Sequence, residues 1–203
     1  MYHFSIPMAL MDFVPVLCFG YAAALLQRDL YDKMRKSHFA LFAAGTINIF
    51  AAGFLKALWK LMYAANICDF HALNTMFLPV QSIGFLLAGL GIVLMMTIRK
   101  KVMLAVPPPV FSGSIIFIFM MVLGLGSICT VLSILAVKMK KKGAMVLFIL
   151  AFLCSMAMGA MSGKDATLAW VNWAEQSINC IGQGLLMWGV IILDKAGLKE
   201  LKL

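Results

Sequence analysis

Six long apolar runs alternate with short polar segments along the chain, covering about residues 6–27, 39–62, 72–97, 110–137, 144–161 and 168–193. A bilayer core about 30 Å thick needs roughly 20 apolar residues in helical conformation, and the runs meet or approach that length. The pattern predicts an all-α, polytopic membrane protein with six transmembrane helices. The alternating short segments of an outer-membrane barrel do not occur. Pro7 and Pro15 fall in the first run, so its opening turns are expected to be irregular. RKKVMLAVPPP, between the third and fourth runs, ends in a triple proline that reads as a stiff linker.

Polar positions inside the runs are few and patterned. The sixth run carries Asn172, Gln176, Asn179 and Gln183. At about 100° per residue they fall within an arc of roughly 60°, with Glu175 at its edge. A polar stripe on an otherwise lipid-compatible helix must face protein or water. The third run repeats this weakly, with His71, Asn74 and Gln81 on one face. The second places Thr46, Gly53 and Lys60 together with Lys56 beside them, and the first holds Asp12.

Composition agrees with a membrane protein: 64% of the residues are hydrophobic, 12% are charged and mean hydropathy is +0.99. A net charge of +9 would suggest nucleic acid, but the basic residues cluster between runs, at 28–36, 99–101 and 138–142. That placement suits topology signals and anionic headgroups, and no nucleic-acid partner is expected. The five cysteines form no C-x-x-C pair, and three histidines fall at no metal-ligand spacing, so neither metal nor cofactor is expected. The N-terminus lacks the basic region of a cleaved signal peptide, and the first run is expected to be retained. A multi-pass protein of a plasma membrane, of bacterial type, is the expected location.

The two halves of the chain resemble each other. Gln81-Ser82-Ile83 recurs as Gln176-Ser177-Ile178, Gly89-Leu90 as Gly184-Leu185, and Lys33-Met34 as Lys138-Met139. Gly45, Phe50, Phe54 and Leu55 match Gly143, Phe148, Phe152 and Leu153. Within a single membrane domain, 1–203, this suggests a three-helix repeat over 1–97 and another over 110–203. With three helices per half and a short linker, the second half is expected to be inverted, the plan of many transporters. Gln81 and Gln176 would then lie at equal depth, each ~14 Å along its helix. Charge opposes this plan: six alternating crossings put 138–142 and the C-terminal lysines on the side opposite 28–36 and 99–101, against the positive-inside rule. The alternative is an extra crossing between Lys101 and Lys138, giving seven spans and a parallel repeat, and the six-span plan is preferred because only about 36 residues intervene.

Glu175 and Asp12 are the only carboxylates within runs, and an intramembrane carboxylate points to function by default. Glu175 is expected to carry a proton or cation, with Gln176, Asn179, Gln183, Asn172, Gln81 and Asn74 contacting a solute. Its bland reading is a structural glutamate paired with Lys56 or Lys60. These lysines, one turn apart, read first as residues snorkelling to a membrane face and second as balancing charge in the site. Asp12 is expected to pair with a lysine of the second run. Trp173 and Trp170 read as interfacial anchors or as walls of a cavity. No H-E-x-x-H, G-x-S-x-G or Gly-rich phosphate loop occurs, and no catalytic residue is assigned. The expected function is binding and translocation of a small polar solute or ion. The alternatives are a membrane subunit or sensor whose polar face meets a partner helix or another copy, and a membrane-embedded enzyme using Glu175 on a lipophilic substrate.

Overall fold

The computed structural model of the chain describes residues 5–97, 114–161 and 169–201. Six helical segments are long and apolar enough to cross a membrane. The first joins α1 (Ile6–Met11) to α2 (Phe13–Leu30), and the second is α3 (Lys36–Ala64). The third joins α4 (Ala72–Thr75) to α5 (Phe77–Thr97). The fourth, fifth and sixth are α6 (Ser114–Lys138), α7 (Lys142–Met161) and α8 (Ala169–Lys195). Residues 98–113, where a basic cluster, the triple proline and the expected start of the fourth span fall, lie outside the described residues.

Both interruptions have the same cause. The helix breaks at Asp12 and at Met76, in each case three residues before a proline, Pro15 and Pro79. A helical proline offers no N–H to the carbonyl four residues back and its ring crowds that group, so Met11 and Thr75 end their helical segments. Pro15 was a visible signal for this, and Pro79 is its counterpart in the third span.

The spans form a closed ring in chain order, each packed against the next and α8 against α2. Asp12 meets Lys60 and Gln27 donates to Thr46, so the first two spans are antiparallel. Gly45 lies on Gly84 and Ala88, and Gly91 on His38 and Phe42, so α3 and α5 are antiparallel as well. Gly126 faces Phe152, Gly182 faces Cys154 and Gly189 faces Phe148, giving the same alternation through α6, α7 and α8. The ring closes differently. Arg28 pairs with Asp194, and Lys33 donates to the carbonyls of Lys199, at 2.8 Å, and Leu201. The C-terminal ends of the first and sixth spans therefore lie together, and these two spans are parallel.

This corrects the expected inversion. Spans one, three, four and six run one way, and two and five the other. Thr97 and Ser114 consequently lie at opposite ends of the bundle, joined by residues 98–113. Sixteen residues can reach about 50 Å at ~3.3 Å each, so the connection needs no second long helix. Loop parity could not be read from the six apolar runs because this connection is neither long nor uniformly apolar. With the direction corrected, segments 28–36, 138–142 and 195–199 all lie at one end, and the chain leaves Thr97 there toward Arg99, Lys100 and Lys101.

The two ends are packed differently. Near the basic end, Leu30, Phe42, Ile92, Leu132, Leu135, Phe148, Val190 and Leu193 are all fully buried in one core. Small residues bring backbones close there: Gly89 sits on Gly124, and Gly124 on Phe85, as expected where lipid supplies no hydrophobic drive between helices. Leu17, Ile47, Phe119, Leu153, Ile181 and Trp188 point outward and form the apolar exterior. Gly197, at φ 84°, reverses the chain after α8 and lays the short 3-10 turn Leu198–Glu200 against α2, with Leu198 fully buried.

Candidate functional site

The half of the bundle away from the basic end encloses a cavity of about 300 Å³ lined by all six spans. The first and fourth spans contribute matching faces: Asp12, Pro15, Val16 and Phe19 have the same spacing as Ile118, Met121, Val122 and Leu125. Positions i, i+3, i+4 and i+7 share one helical face. The third and sixth spans supply Gln81 and Gln176, each followed in sequence by Ser-Ile, and the sixth adds Asn172, Glu175, Asn179 and Gln183. The second supplies Lys56 and Lys60, and the fifth Ser155 and Gly159. The polar stripe of α8 thus faces the interior: Asn172 and Gln176 are 8% and 6% exposed.

Charge is arranged in two parts. Lys60 and Asp12 form an ion pair at 2.6 Å, with side chains only 15% and 10% exposed. The expected pairing of Asp12 with the second span is therefore present. Lys60 does not snorkel, because its partner lies on the adjacent first span and both side chains are largely withdrawn from water. Lys56 turns inward too, its Nζ 3.8 Å from the centre of the Phe77 ring, a cation–π contact. Among the described residues Lys56 and Glu175 make no salt bridge, so the structural pairing considered for Glu175 is not formed. Both are half-buried on the cavity wall, and Glu175 lies within electrostatic reach of Lys56.

The amides are under-satisfied. Gln81 Oε1, Gln176 Nε2 and Gln183 Oε1 are buried and have no hydrogen-bond partner. An unmet buried polar atom costs about 1–3 kcal/mol, and three lining one cavity, from the third and sixth spans, invite a polar occupant. Ser82, adjacent to Gln81, is satisfied by the Leu78 carbonyl at 2.6 Å and takes no part.

Two predicted residues stand elsewhere. Asn74 lies half-buried on α4, on the far side of the Pro79 break, which turns it out of register with Gln81. Trp173 is 40% exposed and does not line the cavity, nor does Trp170, which is 58% exposed. One feature was missed. Trp59 is 1% exposed, donates Nε1–H to Asp69 at 2.9 Å and packs edge-on against His71. It ties the loop before the third span to the wall that bears Lys56 and Lys60. The signal available was Trp59 itself, between two inward-facing lysines one turn apart, with an acidic residue and a histidine ten and twelve positions on. Among the described residues no group of three His, Cys, Asp or Glu side chains could hold a metal ion. No protein-family model matches the chain, and no curated protein or solved structure matches it significantly.

Proposed function

We propose that this protein is a multi-pass membrane transporter that binds a small polar solute in the cavity and passes it across the membrane. The observation that carries the reading is the cavity itself: six spans around one chamber, lined by three unsatisfied glutamine side-chain atoms and by Lys56 and Glu175, which form no salt bridge among the described residues, and backed by a solid apolar core. A chamber closed off by packed apolar residues toward one end is what one state of an alternating-access cycle requires. The facing directions of the spans support two three-helix repeats related by an axis along the membrane normal rather than by an inversion. Gln81 and Gln176 would be their equivalent contacts. The gathering of basic segments at one end supports placing that end in the cytosol, of a bacterial plasma membrane on our reading, with the N-terminus and cavity on the far side.

Burial of Asn172 and Gln176 inside the bundle favours a ligand site over a stripe reserved for a partner helix. The test is solute-driven reswelling of proteoliposomes after osmotic shrinkage, in glycerol, urea, glycine and sodium formate. Protein-dependent entry of at least one solute is expected, reduced at least tenfold by Glu175→Gln and by Gln176→Leu in protein that still inserts and elutes as a single species. Entry no faster than in protein-free vesicles for every solute removes the transport reading.

A further inference from the structure

The cavity holds four charged groups. Asp12 and Lys60 neutralise each other at 2.6 Å, which leaves one positive and one negative charge, Lys56 on α3 and Glu175 on α8. Neither is in a salt bridge among the described residues, and they stand on different helices of the same wall system. A half-buried charge away from bulk water seeks a counter-charge. A simple anion would serve Lys56 and crowd Glu175, and a simple cation would do the reverse. A neutral polyol would satisfy the amides but leave Lys56 with only the Phe77 ring at close range and Glu175 with no salt bridge among the described residues. One class of ligand answers all of these demands at once.

We infer that the cavity takes a small zwitterion, with its carboxylate at Lys56 and its ammonium at Glu175. This rests on the reading of the cavity as a solute site and names the solute's class. The amides extend the match. Gln81 Oε1 and Gln183 Oε1 are unpartnered acceptors suited to an ammonium, and Gln176 Nε2, on a residue 6% exposed, is an unpartnered donor suited to a carboxylate. The size agrees, since about 300 Å³ equals the liquid volume of about ten waters at ~30 Å³ each. Phe19, Phe85 and Met121 on the walls favour a ligand with an apolar body between its charged ends.

The experiment uses the full chain in detergent and four size-matched probes: leucine, isoamylamine, 4-methylpentanoate and 4-methyl-1-pentanol, titrated by calorimetry. Leucine is expected to bind at least tenfold more tightly than any of the others. Lys56→Met should erase its advantage over the amine, and Glu175→Gln its advantage over the acid. Equal or tighter binding of any singly charged or neutral probe overturns the zwitterion assignment and leaves the solute site standing. Binding of none overturns the assignment as well. A thiol introduced by Gln176→Cys, in a background without the five native cysteines, then decides about the site. Reaction with a water-soluble thiosulfonate means the chamber is reached by solutes and only the class was wrong. An unreactive thiol in folded protein removes the solute site itself.

Discussion

Replacing Gly45 with alanine tests whether the ring depends on backbone-to-backbone contact. A Cβ at that position would stand 2.3 Å from the Ala88 nitrogen, 2.5 Å from the Gly84 carbonyl oxygen and 2.8 Å from the Ala88 Cα, against 3.4 Å for ordinary contact. All three atoms are backbone, so no rotamer change relieves the clash, and α3 and α5 must part by about 1 Å. Overpacking of this kind costs typically ~1–3 kcal/mol, and a gap of 0.5–1 Å forfeits a quarter to a half of each neighbouring dispersion well. Better helix propensity returns at most ~1 kcal/mol. The net expectation is destabilisation of about 1–2 kcal/mol. Gly184→Ala is the control: nothing lies within 4 Å of its Cβ position, and it sits mid-helix in α8. There only the propensity gain operates, so stability should hold or rise. The assay is reversible denaturation in mixed micelles, followed by tryptophan fluorescence. Equal losses at both positions, or none at Gly45, would refute the packing argument. Because α3 also bears Lys56 and α5 bears Gln81, Gly45→Ala should weaken ligand binding as well.

Other consequences are quickly checked. Asp12→Asn and Lys60→Met should each destabilise by ~3–5 kcal/mol, since each strands a buried charge, whereas the double variant should return close to wild type in the same denaturation assay. Trp59→Phe removes the hydrogen bond to Asp69 and should cost about 1 kcal/mol, read as a lower thermal midpoint. Single cysteines at Lys33 and Lys140, in a cysteine-free background, should react with an impermeant reagent from the same side of the membrane. Labelling from opposite sides would overturn the span directions. Arg28→Ala breaks the exposed pair with Asp194 and also strips the buried Asp29 carboxylate of its partner at 2.9 Å, so the midpoint should fall, and by more than for Asp194→Ala.

Much of the site was legible because burying polar groups in lipid is costly and so leaves a sparse, readable pattern. Asn172, Gln176, Asn179 and Gln183 share a face in sequence and line one wall in the structure. What was not legible followed from backbone geometry. Asn74 has the right helical period relative to Gln81, but the Pro79 break resets that period at Met76, so the shared face does not survive. Lys56 and Lys60 have the same composition signal whether they snorkel outward or turn inward, and only the contacts of Lys60 with Asp12 and of Lys56 with Phe77 separate the two. Sequence matching likewise paired Gly89 with Gly184, yet Gly89 abuts Gly124 and Gly184 faces open space. Shared residue type does not establish shared contact.

The direction of the second half was the largest misreading, and charge had already argued against it. Counting helices gives six, and alternating six crossings separates the basic segments between two sides of the membrane. The ion pair of Arg28 with Asp194 and the hold of Lys33 on the carbonyls of Lys199 and Leu201 require the opposite. Once the first and sixth spans are parallel, alternation through α6, α7 and α8 puts Lys138 beside the end where Lys36 begins α3. Among the described residues, segments 28–36, 138–142 and 195–199 then fall at one end, as the positive-inside rule favours. The distribution of charge was therefore the better witness to topology than the number of apolar runs, because a count of runs gives direction only where each connection joins neighbouring ends, and Thr97 and Ser114 lie at opposite ends.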